Sequence, residues 1–247
     1  MAKLNIYKNL YPFIIILLLN CGTIPANMTS TEPKDRVIKF SGLEWIVRTN
    51  PTIKKGPGPN YFSDSEENVW VDNNGKLHLK ITQREGEWYC AGVFSKKSFG
   101  HGKYTFYVNS DVTKLDKNVV AGLFTYYDDL QEIDVEFSKW SLDQNMNAQF
   151  TVQPSSKAGN INRFDIPENA GPTMHSFNWK SNAIHFFSRK NTANKQELAQ
   201  WSYSGPDVPS AHKERLRLNL WLYKGQIPSD LEEQEIVIDS VKFEKQT

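Results

Sequence analysis

The chain has 247 residues, and its 29 Lys and Arg nearly balance 28 Asp and Glu, for a formal charge of +1. Its basic residues form no stripe, which argues against a nucleic-acid partner. Two cysteines are too few for a disulfide framework, while 13% aromatics with seven Trp call for a large aromatic core, a surface that stacks on flat ligands, or both.

The N-terminus carries Lys3 and Lys8 and no acid before Cys21, followed by the apolar run Phe13-Ile14-Ile15-Ile16-Leu17-Leu18-Leu19. That run is far shorter than the ~20 residues that span a bilayer, so residues 1–20 read as a signal peptide. Leu17-Leu18-Leu19-Asn20-Cys21-Gly22 resembles a bacterial lipobox, although Asn20 replaces the usual small residue. The resemblance implies that Cys21 is the lipidated first residue of the mature chain, exported and held on a membrane at the cell envelope or surface. A plain secretory signal cleaved nearby is the alternative. Residues 21–36 are polar and read as a tether, and 37–247 as one domain. Without the two signal lysines the charge falls from +1 to −1. Cys90, between Tyr89 and Ala91, reads as a small buried hydrophobe.

Period-two alternation then recurs along the chain. Leu77, Leu79 and Ile81 alternate with polar residues, as do Tyr104, Phe106 and Val108, and Ile133, Val135 and Phe137. Ala148, Phe150 and Val152 follow the same pattern, then Leu216, Leu218 and Leu220, then Ile236 and Ile238. Asn73-Asn74-Gly75, Gly100-His101-Gly102, Pro154-Ser155-Ser156 and Gly205-Pro206 punctuate the runs. Short alternating strands with turn signals predict an all-β sandwich, each strand keeping one face wet. Thr192 to Trp201 is the one stretch expected to hold a short helical turn.

The wet face of Glu132-Ile133-Asp134-Val135-Glu136-Phe137 carries three acids. Neighbouring acids on one strand face lie about 6.6 Å apart at Cα. At an effective dielectric near 20 they repel by roughly 2.5 kcal/mol, enough to move a pKa by about two. Such a row is costly on a merely solvated face. It suits glycoside hydrolysis, in which one carboxyl stays protonated while another attacks or activates water. An ordinary charged face, or acids that discourage edge pairing, remains the alternative from spacing alone.

Glu-Ile-Asp-Val-Glu-Phe resembles the signature strand of glycoside hydrolase family 16, in the regular form with one residue between Asp and the second Glu. Other landmarks run in order from residue 40 to 243. Asn74-Gly75-Lys76-Leu77-His78-Leu79, Phe99-Gly100-His101-Gly102-Lys103-Tyr104 and Leu123-Phe124-Thr125-Tyr126 precede or reach the acids. Gln149-Phe150, His175-Ser176-Phe177-Asn178-Trp179, Arg217-Leu218-Asn219-Leu220-Trp221 and Asp239-Ser240-Val241-Lys242-Phe243 follow them. The resemblance implies a concanavalin-type jelly-roll sandwich of two antiparallel sheets with a concave cleft. It implies a retaining, endo-acting hydrolase of a β-glucan or related polysaccharide or oligosaccharide, acting as a monomer. Glu132 would be the nucleophile, Glu136 the acid and base, and Asp134 the residue that tunes the proton between them. Substrate would meet Phe124, Tyr126, Gln149, Thr151, Gln153, Asn219 and Trp221, with Asn60 reaching it from the Gly56-Pro57-Gly58-Pro59-Asn60 loop at the cleft edge. Catalysis needs no cofactor; a structural calcium on the convex side would use Gly75 and Asp239.

Departures from the lichenase pattern bear on substrate. Leu130 stands where lichenases have Trp, two residues before the nucleophile. Gly92 and Phe94 replace an acid and an arginine, which predicts a smaller, greasier sugar-binding surface. Asp128 and Asp129 crowd the approach to Glu132. A non-catalytic carbohydrate-binding lipoprotein on the same fold is therefore the second reading, and a surface interaction protein the third. Trp179 and Trp201 are expected in the core, and His175 as a hydrogen-bonded structural histidine.

Overall fold

The computed structural model describes residues 35–245; the expected signal peptide, Cys21 and the tether before Asp35 lie outside them. Seventeen strands occur among the described residues. They begin with β1 (Val37–Phe40), β2 (Leu43–Val47), β3 (Asn50–Lys55), β4 (Asn60–Phe62), β5 (Val69–Val71) and β6 (Leu77–Arg84). Then come β7 (Glu87–Ser95), β8 (Gly102–Val108), β9 (Val119–Asp128), β10 (Gln131–Phe137), β11 (Ala148–Val152) and β12 (Ile161–Phe164). The last are β13 (Thr173–Trp179), β14 (Ile184–Lys190), β15 (Glu197–Tyr203), β16 (Arg215–Leu222) and β17 (Gln234–Lys245).

These strands make a jelly-roll sandwich of two antiparallel sheets. The concave sheet runs β1-β2-β7-β16-β9-β10-β11-β12. The convex sheet runs β5-β6-β17-β8-β13-β14-β15. The β6–β7 hairpin passes from one to the other, and β4 pairs in parallel beside the start of β7. The sequence alternation sets which face each strand buries. Leu77, Leu79 and Ile81 are buried between the sheets, as are Ile133, Val135 and Phe137. Phe150 stacks on Phe186 of the opposite sheet at 4.9 Å, a pairing worth about 0.5–1.5 kcal/mol beyond the area it buries.

The core takes Trp179 and Cys90 as expected, with Trp201 partly buried against Phe186. His175 is buried and hydrogen-bonded to Ser188 Oγ and Thr173 Oγ1, each at 2.7 Å; burial pushes its imidazole down to about 3.

Three expectations need correction. Thr192 to Trp201 holds no helix: a turn leads straight into β15. Arg36, expected as the last tether residue, is fixed to the domain through Nη1, which donates to Asp64 O at 2.8 Å and Val69 O at 2.9 Å. Nor does every strand keep a wet face, because all five residues of β11 are buried. Its polar residues Gln149 and Thr151 lie beside Glu136 and Asp134 of β10 rather than against solvent.

Candidate active site

β9 returns into β10 through Asp129 and Leu130. The register shifts between Gln131 and Glu132, then runs without interruption to Phe137. Glu132 lies opposite Tyr126, Asp134 opposite Phe124, and Glu136 opposite Gly122. On the other side, Asp134 and Glu136 face Thr151 and Gln149 of β11. Because Ile133, Val135 and Phe137 fill the core, all three acids project to the concave face. They line a cleft of about 620 Å³ together with Phe124, Tyr126, Asn219 and Trp221.

Gln149 and Gln153 hold the row from beside it. Gln149 Nε2 donates to Glu136 Oε2 at 2.7 Å, and Gln153 Nε2 to Asp134 Oδ2 at 3.2 Å. Arg163, stacked over Trp140 at 4.5 Å, donates through Nε to Gln149 Oε1 at 3.2 Å and fixes which way that amide points. Thr151 is fully buried, and its Oγ1 has no hydrogen-bond partner among the described residues. It lies beside Asp134 and does not line the cleft.

Burial raises the pKa of all three acids. Glu132 is pushed up to about 8, first by desolvation and further by the Glu136 charge; the Asp134 hydrogen bond and Arg217 oppose this. Asp134 goes well above its usual range through desolvation and then the charges of Glu132 and Glu136. Glu136 is raised by desolvation, opposed by Gln149 and then Arg163. The Asp134–Glu132 hydrogen bond favours the proton on Asp134 and the charge on Glu132. A crowded carboxylate row with a shared proton can therefore offer both an anion and an acid in one cleft.

The cleft also holds Arg48, Lys55 and Arg217, which the sequence reading did not place there. Arg217 shares its strand parity with Asn219 and Trp221, a signal that could have found it. Its guanidinium lies over Tyr126 at 4.1 Å. Arg48 follows the end of β2; its backbone NH bonds Gly92 O at 2.8 Å and its guanidinium covers Phe62 at 3.7 Å. Only the pairing of β2 with β7 brings it there. The expectation of a smaller, greasier surface is thus corrected. A Cβ on Gly92 would meet Arg48 Cδ in ordinary contact at 3.6 Å, so the Arg48 side chain runs directly beside the glycine and brings a cation from the next strand.

Asn60 is corrected as well. It is buried, and its Nδ2 donates to Pro57 O and Leu222 O, both at 2.8 Å. Its amide is spent pinning the loop, and Gly56 and Pro57 are the loop residues that line the cleft. Leu130 is exposed at the β9–β10 turn, whose Asp128 Oδ1 accepts from Leu130 N at 2.9 Å. Asp129 lines the cleft and accepts from Tyr126 Oη at 2.8 Å. On the convex side, Gly75 occupies a positive-φ turn. Asp239 Oδ1 lies 3.5 Å from Lys76 Nζ, which itself donates to Asn109 Oδ1 at 2.6 Å. A lysine already answers the Asp239 charge, and no group of three or more His, Cys, Asp or Glu placed to hold a metal ion occurs among the described residues. This donor set is a poor fit to calcium, which takes six to eight oxygen ligands.

An antiparallel jelly roll with a row of carboxylates in its cleft belongs to the glycoside hydrolase class, as an enzyme or as a relative that has kept the fold without the turnover. Residues 59–237 match the family described as glycosyl hydrolases family 16, and the chain belongs to that family. No curated protein matches it. Among solved structures it is similar to a Bacillus licheniformis β-glucanase, with TM-score 0.63 and 18% identity over 85% of this chain and 95% of that one. A prokaryotic β-1,3-1,4-glucanase (lichenase) from a mouse hindgut metagenome aligns with TM-score 0.61 and 19% identity, over 82% and 93%. An immunostimulatory antigen and pseudo β-1,3-glucanase of Mycobacterium tuberculosis aligns with TM-score 0.63 and 19% identity, over 82% and 91%.

Proposed function

We propose that this protein is a retaining, endo-acting hydrolase of a β-glucan or related polysaccharide, exported and anchored by lipid at Cys21. The observation that carries the proposal is the row itself: three carboxyls on one strand face, each with a raised pKa, in a cleft flanked by Trp221 and Tyr126. In this reading Glu132 attacks the anomeric carbon while Glu136 gives its proton to the leaving oxygen. Glu136 then takes a proton from the water that releases the glycosyl group from Glu132. Asp134 donates to Glu132 and holds it as an anion. Gln149 orients Glu136, and Gln153 orients Asp134. A flat strand would set the Glu132 and Glu136 Cα atoms about 13 Å apart. The two glutamate side chains and the curvature of the sheet must bring the carboxyls to the roughly 5–5.5 Å of a retaining pair. The chain acts as a monomer. A calcium at Gly75 and Asp239 would have to displace Lys76 and takes no part in these steps.

A second reading, glycan binding without turnover, draws support from the described pseudo β-1,3-glucanase on the same fold and from Leu130 at the cleft approach. One experiment separates the two. Wild type and Glu132→Gln are screened against β-1,3-, β-1,3-1,4- and β-1,4-linked glucans for reducing ends and for binding. Hydrolysis requires reducing ends that fall at least about 10³-fold in the variant. Binding that survives Glu132→Gln, with no reducing ends from either protein, selects the lectin. Neither cleavage nor binding by either protein sinks both.

A further inference from the structure

The cleft contains a second charged cluster that the proposed chemistry does not use. Going from the acids toward the β2 edge, the concave sheet passes from β10 through β9 to β16, then β7 and β2. Arg217 lies across β9 from Asp134, through their common partner Phe124. Two strand spacings put it about 10 Å from the acid row, the span of one to two sugar rings. Arg48 lies beyond it, beside Gly92, and Lys55 closes the group from β3.

Among the described residues these cations form no direct ion pair; Glu132 acts on Arg217 only through its charge at a distance. Nine other Lys, Arg and His side chains form ion pairs among the described residues, but Arg48, Lys55 and Arg217 form none. Arg217 Nε is buried without a hydrogen-bond partner. Arg48 has Nη2 on Gly56 O and a long 3.4 Å bond from Nε to Asn50 Oδ1, neither of them a charge. Arg48 is pushed down to about 10, first by desolvation and then by the Arg217 charge, so the pair is mutually repulsive as it stands. A buried donor left without a partner costs stability, more so when it is charged. An incoming anion would relieve both costs. Guanidinium forks suit planar or tetrahedral oxyanions, which they grip through two parallel N–H···O bonds. Phe62 and Tyr126 behind the guanidinium planes hold them as fixed platforms.

Resting on the glycan-cleft reading, we propose that Arg48, Arg217 and Lys55 form an anion-binding subsite, and that this cleft selects a glycan whose sugars carry carboxylate or sulfate groups. The subsite takes a substituted sugar one to two rings from the bond over the acids.

The test is calorimetric titration of the Glu132→Gln protein with one β-glucan backbone in three forms of equal length: unmodified, carboxymethylated and sulfated. The readout is the ratio of anionic to neutral affinity. We expect a ratio of at least about tenfold that shrinks as added salt shortens the screening length. The stronger of the two modified forms names the anion. Arg217→Ala and Arg48→Ala should each bring the ratio down toward one, Arg217→Lys should keep part of it, and Lys80→Ala, on the convex face, should leave it intact. A ratio near one in the parent protein, or a ratio unmoved in both arginine variants, overturns the inference. Should one arginine variant fail to fold, the other and the parent ratio still decide. Cleavage of neutral glucan by wild type with a ratio near one would remove this inference alone. Absence of binding to all three forms would remove the glycan reading with it.

Discussion

The two sheets use the same alternation and opposite charge logic. On the convex face, unlike charges meet across strands: Lys80 lies 2.7 Å from Glu233, and Lys76 3.5 Å from Asp239. Glu233 is accordingly held below its usual range, first by the Lys80 hydrogen bond. In the concave cleft, like charges are gathered. Acids follow one another along β10, and Arg48 and Arg217 flank β7 from either side, with carboxyl pKa values driven up and guanidinium values driven down. A face that only has to stay soluble pairs its charges. A face that leaves them unpaired at a cost to folding has kept them for something that arrives later.

The sharpest way to break that contrast is to measure the cost. A free Glu titrates near 4.5; in the cleft burial and the neighbouring acids push Glu132 up to about 8, and the proton that the row then holds is shared with Asp134. Between those values the folded chain holds a proton that the unfolded chain has lost. Its contribution to stability is therefore complete below about 4.5 and declines as pH rises through about 8. Glu132→Gln takes one carboxylate out of the row and so shrinks that decline. We expect equal melting temperatures at pH 4, and at pH 8.5 a variant more stable by at least about 1 kcal/mol, or roughly 2–4 °C in a chain of this size. A variant less stable than wild type at pH 8.5 would mean that the row is not held under strain.

Gly122 offers a smaller effect on the same face. It lies between Glu136 and Asn219, opposite both. A Cβ there would stand 2.5 Å from Asn219 Oδ1, so Gly122→Ala must push that buried amide away from the acid row. Overpacking of this kind costs about 1–3 kcal/mol, which thermal unfolding would read as a drop of a few degrees. If the glycan reading holds, kcat/KM falls about tenfold, since an error near 1 Å at a positioned group costs up to about a hundredfold. Unchanged kinetics with lowered stability would show that Asn219 packs the cleft without meeting substrate.

Much of this was legible in the strand periods. Residues repeating every second position lie on one face whatever the topology, which is why Glu132, Asp134, Glu136, Phe124, Tyr126, Asn219 and Trp221 could be grouped before any coordinates. Arg217 obeys the same parity, but parity alone does not tell a cleft cation from a solvated one. Arg48 was not legible at all. It stands just past the end of β2, and its place in the cleft comes from the pairing of β2 with β7, which lays it beside Gly92. Asn60 failed for a related reason: being in the right loop does not say which way the side chain turns, and here Leu222 O and Pro57 O claim it. The buried polar side of β11 shows the limit of alternation, which separates two faces without saying whether the outer one is wet.

The contrast makes its last and smallest demand on the convex face. Lys80 and Glu233 are each about one-third exposed, at 32% and 39% of their side-chain surface. Exposed pairs of this kind contribute about 0–1 kcal/mol. Lys80→Ala should therefore lower the melting temperature by no more than about 4 °C, and added salt should shrink even that. The sign of its pH dependence is opposite to that of the cleft. Glu233 sits below its usual range, so the pair stabilises the fold above the ordinary carboxylate range and loses its effect as acid protonates Glu233. Wild type and Lys80→Ala should converge at low pH, where wild type and Glu132→Gln also converge, and diverge in opposite directions above it. A larger cost at Lys80, or a divergence of the same sign as Glu132→Gln, would mean that both faces carry their charges for one reason.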